Sequence, residues 1–259
     1  MSDQRRDPGP ERDARSTRDL RSTRGVRPAW ALFRRELNGF FQTPVAYVVG
    51  VVFLVASGAL FFSPFFLIDR VQMRQFFALL PLLLALLMPA LAMRVVAEER
   101  RRGMWEIVST LPLRNVEVIL AKFAAVWVTG LFLLAPTLLF AITVGSLGEL
   151  DPGPVVSGYL GAVLLTAVYG AVGVFASSVA SNETVALVLG LVISLFLALL
   201  NQFLILIPSE LVGLLEFLSI GYHFDGFTRG IVDSRSVVYY LTLVAGFLAI
   251  SRYQLDRQR

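Results

Sequence analysis

Lys122 is the only lysine in the chain, and Ala121 precedes it. A phosphate-binding P-loop needs the run Gly-Lys-Ser/Thr, because its glycine-rich backbone cradles phosphates and its hydroxyl meets magnesium. That loop is therefore excluded, and with it ATP binding of that kind by this chain. His223 is the only histidine and there is no cysteine. A paired-histidine zinc site, a histidine-rich copper site, a thiolate zinc site, an iron–sulfur cluster and a disulfide are thus all excluded. His223 sits in a Gly-Tyr-His-Phe-Asp-Gly stretch at 221–226. A lone histidine in such a stretch is expected to be packed or hydrogen-bonded rather than to ligate a metal or assist a nucleophile. Intramembrane proteolysis needs paired catalytic groups at depth, and no apolar segment carries two carboxylates; Glu183 lies at a turn. We expect no catalytic, cofactor-binding or metal-binding residue, and a chain that performs no bond chemistry itself.

The densest polar chemistry lies in residues 93–123, MRVVAEERRRGMWEIVSTLPLRNVEVILAKF. Glu98 and Glu99, followed by Arg100, Arg101 and Arg102, form an ionic corner. Gly103 permits a turn. Glu106, Ile107 and Val108 begin a short helical piece that Leu111-Pro112 breaks. Asn115 is placed to cap the next helix, with Glu117 in its first turn. The result is a short element presented between two apolar segments, and the plain alternative is a basic loop that only sets topology.

Something must position that element. The chain has 259 residues, 56% hydrophobic and 16% charged, against about 25% charged in a soluble domain. Its mean hydropathy of +0.70 over that length needs lipid, so the fold class is an all-α integral membrane protein. Six apolar segments, roughly 44–63, 76–97, 123–147, 155–180, 184–207 and 237–252, match the ~20 residues a helix needs to cross hydrocarbon; the last is the shortest. Residues 1–27 are polar, rich in arginine and free of aromatics, and are expected to be a disordered arm. Asp and Glu are interspersed there, which argues against a nucleic-acid arm. In residues 28–43, Trp30, Leu32, Phe33, Leu37, Phe40 and Phe41 recur at helical spacing while Arg34, Arg35 and Glu36 share the other side. An interfacial helix leading into the first span is expected. The basic arm, the Arg100–Arg102 connection and the tail (253–259) place both termini and the 98–121 connection in the cytoplasm by the positive-inside rule. Arg70, Arg74, Arg229 and Arg235 dissent on the outer side. Residues 208–236 are too apolar for an exposed loop and too interrupted for a span, so a re-entrant or interfacial element on the outer face is expected.

The order Met-Arg, Ala-Glu-Glu-Arg, Gly-x-x-Glu, Ser-Thr-Leu-Pro and Val-Ile-Leu-Ala-Lys-Phe within 93–123 resembles the ATP-binding-cassette type-2 permease family, closest to its gliding-motility-associated branch. Two other stretches share the likeness: Arg35-Glu36-Leu37-Asn38 through Thr43-Pro44-Val45-Ala46-Tyr47, and Gly170-Ala171-Val172-Gly173-Val174-Phe175-Ala176-Ser177-Ser178 through Ser181-Asn182-Glu183. The likeness covers about residues 30–252 and departs at Met104-Trp105. It implies a six-span permease subunit in the bacterial inner membrane. The implied partners are a cytoplasmic ATPase that binds ATP and magnesium, a second permease half (identical or not), a periplasmic auxiliary protein and membrane lipid. It also implies that the ATPase meets about 28–41, 98–117 and 181–184. The candidate contacts are Arg34, Arg35, Glu36, Glu98, Glu99, Arg100, Arg101, Arg102, Glu106, Asn182 and Glu183. The alternative is a membrane anchor for a gliding-type envelope machine that moves no solute.

Overall fold

The computed structural model describes residues 29–68, 73–101, 114–148, 150–203 and 219–257. The expected arm at 1–27, the centre of the 98–117 element with Arg102 and Glu106, and residues 204–218 lie outside them. The described chain is helical throughout: α1 (29–42), α2 (Pro44–Ile68), α3 (Arg74–Ala92), α4 (Arg94–Arg101), α5 (Asn115–Leu134), α6 (Leu138–Leu147), α7 (Pro152–Val179), α8 (Glu183–Phe203), α9 (Ile220–Thr228) and α10 (Ser234–Asp256). Six stretches are long and apolar enough to cross a membrane: Pro44–Ser63, Arg74–Glu99, Asn115–Leu147, Pro152–Val179, Glu183–Gln202 and Ser234–Asp256. The protein is a multi-pass membrane protein. We call the end of the bundle where α1 starts and α10 finishes the near end, and the opposite end the far end.

The fourth span, α7, is the hub. It packs against α3, α4, α5, α8, α9 and α10, and 78% of its apolar window is buried against 28% for the first and sixth spans. Its sequence explains the position. Lipid tails are as apolar as leucine, so spans associate through close packing, which small residues permit. Gly158 lets the ring of Phe77 on α3 come so close that a Cβ there would lie 2.5 Å from it. At Gly173 a Cβ would lie 2.5 Å from the Ala92 Cβ and 3.4 Å from the Met88 carbonyl oxygen. By contrast α2 and α8 turn exposed valines outward, Val48, Val51, Val52 and Val55 on one and Val185, Val188 and Val192 on the other.

The third span is longer than its apolar core. It runs from Asn115 to Leu147, 33 residues, or ~50 Å at 1.5 Å per residue. Ala135–Thr137 tightens into a 3-10 turn at Pro136, where proline removes a backbone donor. The Tyr159 hydroxyl of α7 donates to the Thr137 carbonyl at 2.8 Å and so occupies an acceptor at this turn. An aromatic cluster closes the far half. Phe76 meets Phe140 edge-on at 5.7 Å, and Phe77 meets Tyr159 at 5.3 Å.

Two boundaries differ from expectation. The second span runs from Arg74 to Glu99 rather than 76–97, and α3 passes into α4 at Met93, which keeps helical backbone angles (φ −53°, ψ −32°). The sixth helix extends from Ser234 to Asp256 rather than 237–252. Its polar ends stay helical because the Asp233 carboxylate accepts the Arg235 N–H and Arg252 pairs with Asp256 one turn on. At the far end α9 packs against α7, α8 and α3, burying Ile220, Phe224 and Phe227. His223 is buried there, stacked on Tyr239 at 4.1 Å with Nδ1 3.2 Å from the Ser236 hydroxyl. A turn follows, with Gly230 at φ 88°, a conformation that favours glycine.

The α3–α7 seam gives a same-chemistry test. Gly173→Ala is expected to lower stability by about 1–3 kcal/mol through overpacking. Gly246→Ala, at a helical site where a Cβ meets nothing within 4 Å, should be neutral or stabilising by up to about 1 kcal/mol. Thermal unfolding midpoints in detergent measure both, and equal midpoints would contradict the close approach.

Candidate functional site

The side chain of Lys122 is fully buried. Removing an ammonium from water costs several kcal/mol unless it is paired and its donors are satisfied. Here three acceptor atoms from two helices, α1 and α4, surround its Nζ. Nζ lies 3.1 Å from Glu36 Oε1 on α1, 2.9 Å from Glu99 Oε2 on α4 and 2.6 Å from the Val95 carbonyl oxygen. Arg35 completes the group, with Nη2 3.0 Å from Glu99 Oε1. Two cations and two anions thus balance, and only Arg35, 58% exposed, reaches outward.

Each member is held by its own helix. On α1, Leu32 packs against Val118 and Ala121 at the start of α5, and Phe41 meets Phe132 edge-on at 5.0 Å farther along it. The helix therefore tracks along α5 and delivers Glu36 to Lys122. On α4 the position of Glu99 depends on the junction at Met93. Ser177 of α7 inserts its hydroxyl there. It accepts the N–H groups of Val96 at 3.0 Å and Ala97 at 3.1 Å, and it donates to the Met93 carbonyl at 2.9 Å. Arg94 adds a link from this junction to α8 through Glu183, Nε to Oε2 at 3.1 Å. At the same end the Asn115 amide donates to Asp256, tying α5 to α10.

The sequence-derived candidates divide accordingly. Arg34 and Arg35 are exposed on α1, while Glu36 and Glu98 are partly buried. Glu99, expected on the outer polar side of a contact, points inward with its side chain 8% exposed; its carboxylate is committed to Lys122 and Arg35. Arg100 and Arg101 end α4, and their side chains lie outside the described part, as do Arg102 and Glu106 altogether. Asn182 caps α8, its Oδ1 accepting the Val185 N–H at 2.8 Å, and Glu183 is paired with Arg94. Asn115 is not the cap of α5. Arg114 holds that position, and its N–H is accepted by Glu117 Oε2 at 3.1 Å, which frees Asn115 for Asp256. Lys122, Ser177 and Arg94 were absent from the candidates. An only lysine just inside an apolar run was the available signal for the first.

A joint of this kind binds no reactant. It fastens α1, α4 and α5 into one unit beside the 102–113 connection, and fastens α4 to the hub helix. A family model described as ABC-2 family transporter protein matches residues 69–251. The chain belongs to the ABC-2 transporter family. Among curated proteins nothing matches it. Membership makes the chain a membrane permease subunit and implies an ABC ATPase partner and dimerisation. Within the ABC-2 permease, Lys122 and Glu99 fall inside the matched region and Glu36 precedes it.

Removing the ammonium alone tests the joint. Lys122→Met leaves two buried carboxylates to share Arg35, and is expected to cost about 3–5 kcal/mol. Adding Glu99→Gln restores the balance of one cation to one anion and should recover part of that loss. Unfolding midpoints of the two variants in detergent decide it; a double variant no more stable than the single one would refute the charge accounting.

Proposed function

We propose that this permease subunit works as the membrane half of a machine driven by a separate cytoplasmic ATPase, which pushes on the near end. The observation that carries this reading is the Lys122 joint. It locks α1, α4 and α5 together on either side of the 102–113 connection, so displacement of that connection moves three helices at once. Ser177 passes the movement from α4 to α7, and α7 packs against the second, third, fifth and sixth spans. A driven change also requires that the ATPase contact the permease differently in its two states, and the exposed Arg34 and Arg35 and the arginines at the end of α4 supply charges for such a contact.

Charge supports the orientation. Arg34, Arg35, Arg94, Arg114, Lys122, Arg252 and Arg257 all belong to the near end, which the positive-inside rule assigns to the cytoplasm of a bacterial inner membrane. Two dissenting arginines of the far end, Arg74 and Arg229, both pair with Asp225, which weakens their vote. On this reading ATP and magnesium bind the partner, the unit contains two permease halves, and export is the direction. The stretches 35–47 and 170–183 favour the gliding-motility-associated branch. That branch carries the variant reading, in which the machine works on the cell envelope without moving a solute, and a neighbouring gene for a large periplasmic auxiliary protein would favour it.

Co-purification in mild detergent with an ATPase is expected, and its hydrolysis in proteoliposomes should respond to the permease. Replacing Arg100, Arg101 and Arg102 by alanine should cut that response about tenfold, at up to ~1 kcal/mol for each charge removed, while insertion and unfolding midpoint stay unchanged. An undiminished response would remove these arginines from the contact, and failure to recover any ATPase would overturn the reading.

A further inference from the structure

We infer that the groove between α5 and α10 is a binding site for an anionic phospholipid of the near-end leaflet. The groove has a volume of about 720 Å³ and opens sideways between the two helices, where Ile119, Leu120 and Phe123 face Leu241, Val244 and Leu248. That size is within the ~300–1,000 Å³ of pockets that enclose small ligands. Its wall is apolar along its length, and polar side chains enter only at one end, with Arg252, Tyr253 and Asp256.

Length and charge together select the occupant. From Leu241 to Asp256 the lining extends ~22 Å along α10 at 1.5 Å per residue. One leaflet contributes about half of a ~30 Å hydrocarbon core, with the headgroup layer beyond it. The groove is thus one acyl chain deep, with its polar mouth at headgroup level. Among the described residues, Arg252 and Asp256 of α10 line that mouth, with Arg257 next along the chain and Arg114 and Glu117 at the start of α5. Both acids are already engaged. Glu117 accepts the Arg114 backbone N–H, and Asp256 takes the Asn115 amide and Arg252. Arg252 is 57% exposed, and Arg257 lies over the Tyr253 ring at 5.6 Å, so two guanidinium groups flank an aromatic ring of the kind found at membrane interfaces. A phosphate diester with a negative headgroup fits that surplus. A second copy of the chain fits it less well, because the exposed valine faces of α2 and α8 carry no acid to meet Arg252.

Trp127 reports on the groove, since its ring stacks on Phe123 at 6.3 Å. In the full chain with Trp30→Phe and Trp105→Phe it is the sole tryptophan. We would reconstitute this protein in phosphatidylcholine vesicles containing a minor fraction of brominated phosphatidylglycerol, or of brominated phosphatidylcholine. Half-maximal quenching is expected at about fivefold less of the anionic lipid, the selectivity that one basic residue at a membrane surface provides. Arg252→Gln should bring the two lipids together, and Ala245→Phe, which fills the open wall, should weaken quenching by both. Equal quenching by the two lipids, or selectivity that survives Arg252→Gln, would overturn the assignment. Because the chain has no cysteine, Leu248→Cys tests the rival occupant. A copy-to-copy disulfide at that position would put a second subunit in the groove and also overturn it, whereas its absence with lipid selectivity present supports the site.

Discussion

A wholly buried ammonium is the constraint around which the near end of this permease is built. Lys122 can exist there only if three acceptors converge on it and the surrounding charge sums to zero. A compact ammonium with three donors suits acceptors that arrive from three directions, where the planar fork of arginine would not. Meeting the requirement fixes the register of α1 through Glu36 and the rotation of α4 through Glu99. A carbonyl of the same helix, that of Val95, completes the set. The fixed elements bracket the 102–113 connection, on which the proposed ATPase would act. The polar groups of this joint therefore serve geometry, holding α1, α4 and α5 in register.

The rest of the bundle answers to a second rule, that helices in lipid must touch closely to stay together. The hub helix meets it with small residues at the seam and with one hydroxyl used three times. Ser177 satisfies two amides and one carbonyl of a neighbouring helix at the junction of α3 and α4. Those three bonds tie the start of α4 to the hub helix, and α4 carries Glu99 to Lys122, so the apolar seam and the polar joint are parts of one arrangement.

Much of this was legible in the residues. Long apolar runs announced the spans, and arginine distribution announced which ends share a side. The joint was not legible, for reasons of distance and phase. Glu36 is 86 residues from Lys122, and nothing local marks the pair. Glu98 and Glu99 are neighbours of the same type, yet adjacent positions differ by about 100° around a helix. Only the phase set at Met93 decides which one turns inward. Ser177 sits within a run of small residues whose composition gives no sign of its hydrogen bonds. Asn115 misled because its type suits a cap, while a partner at the far end of the sequence, Asp256, had the stronger claim.

The order of the joint's members along the chain matters for how the protein is made. Glu36 and Glu99 both precede Lys122, as does Arg35. During synthesis the carboxylates are already in place when the lysine emerges, so the ammonium need never enter the bilayer without its counter-charges. Ser177 and Glu183 come later and arrive with the fourth and fifth spans. The polar corner is thus assembled from the first three spans alone, and the hub helix locks a structure that its predecessors have already neutralised.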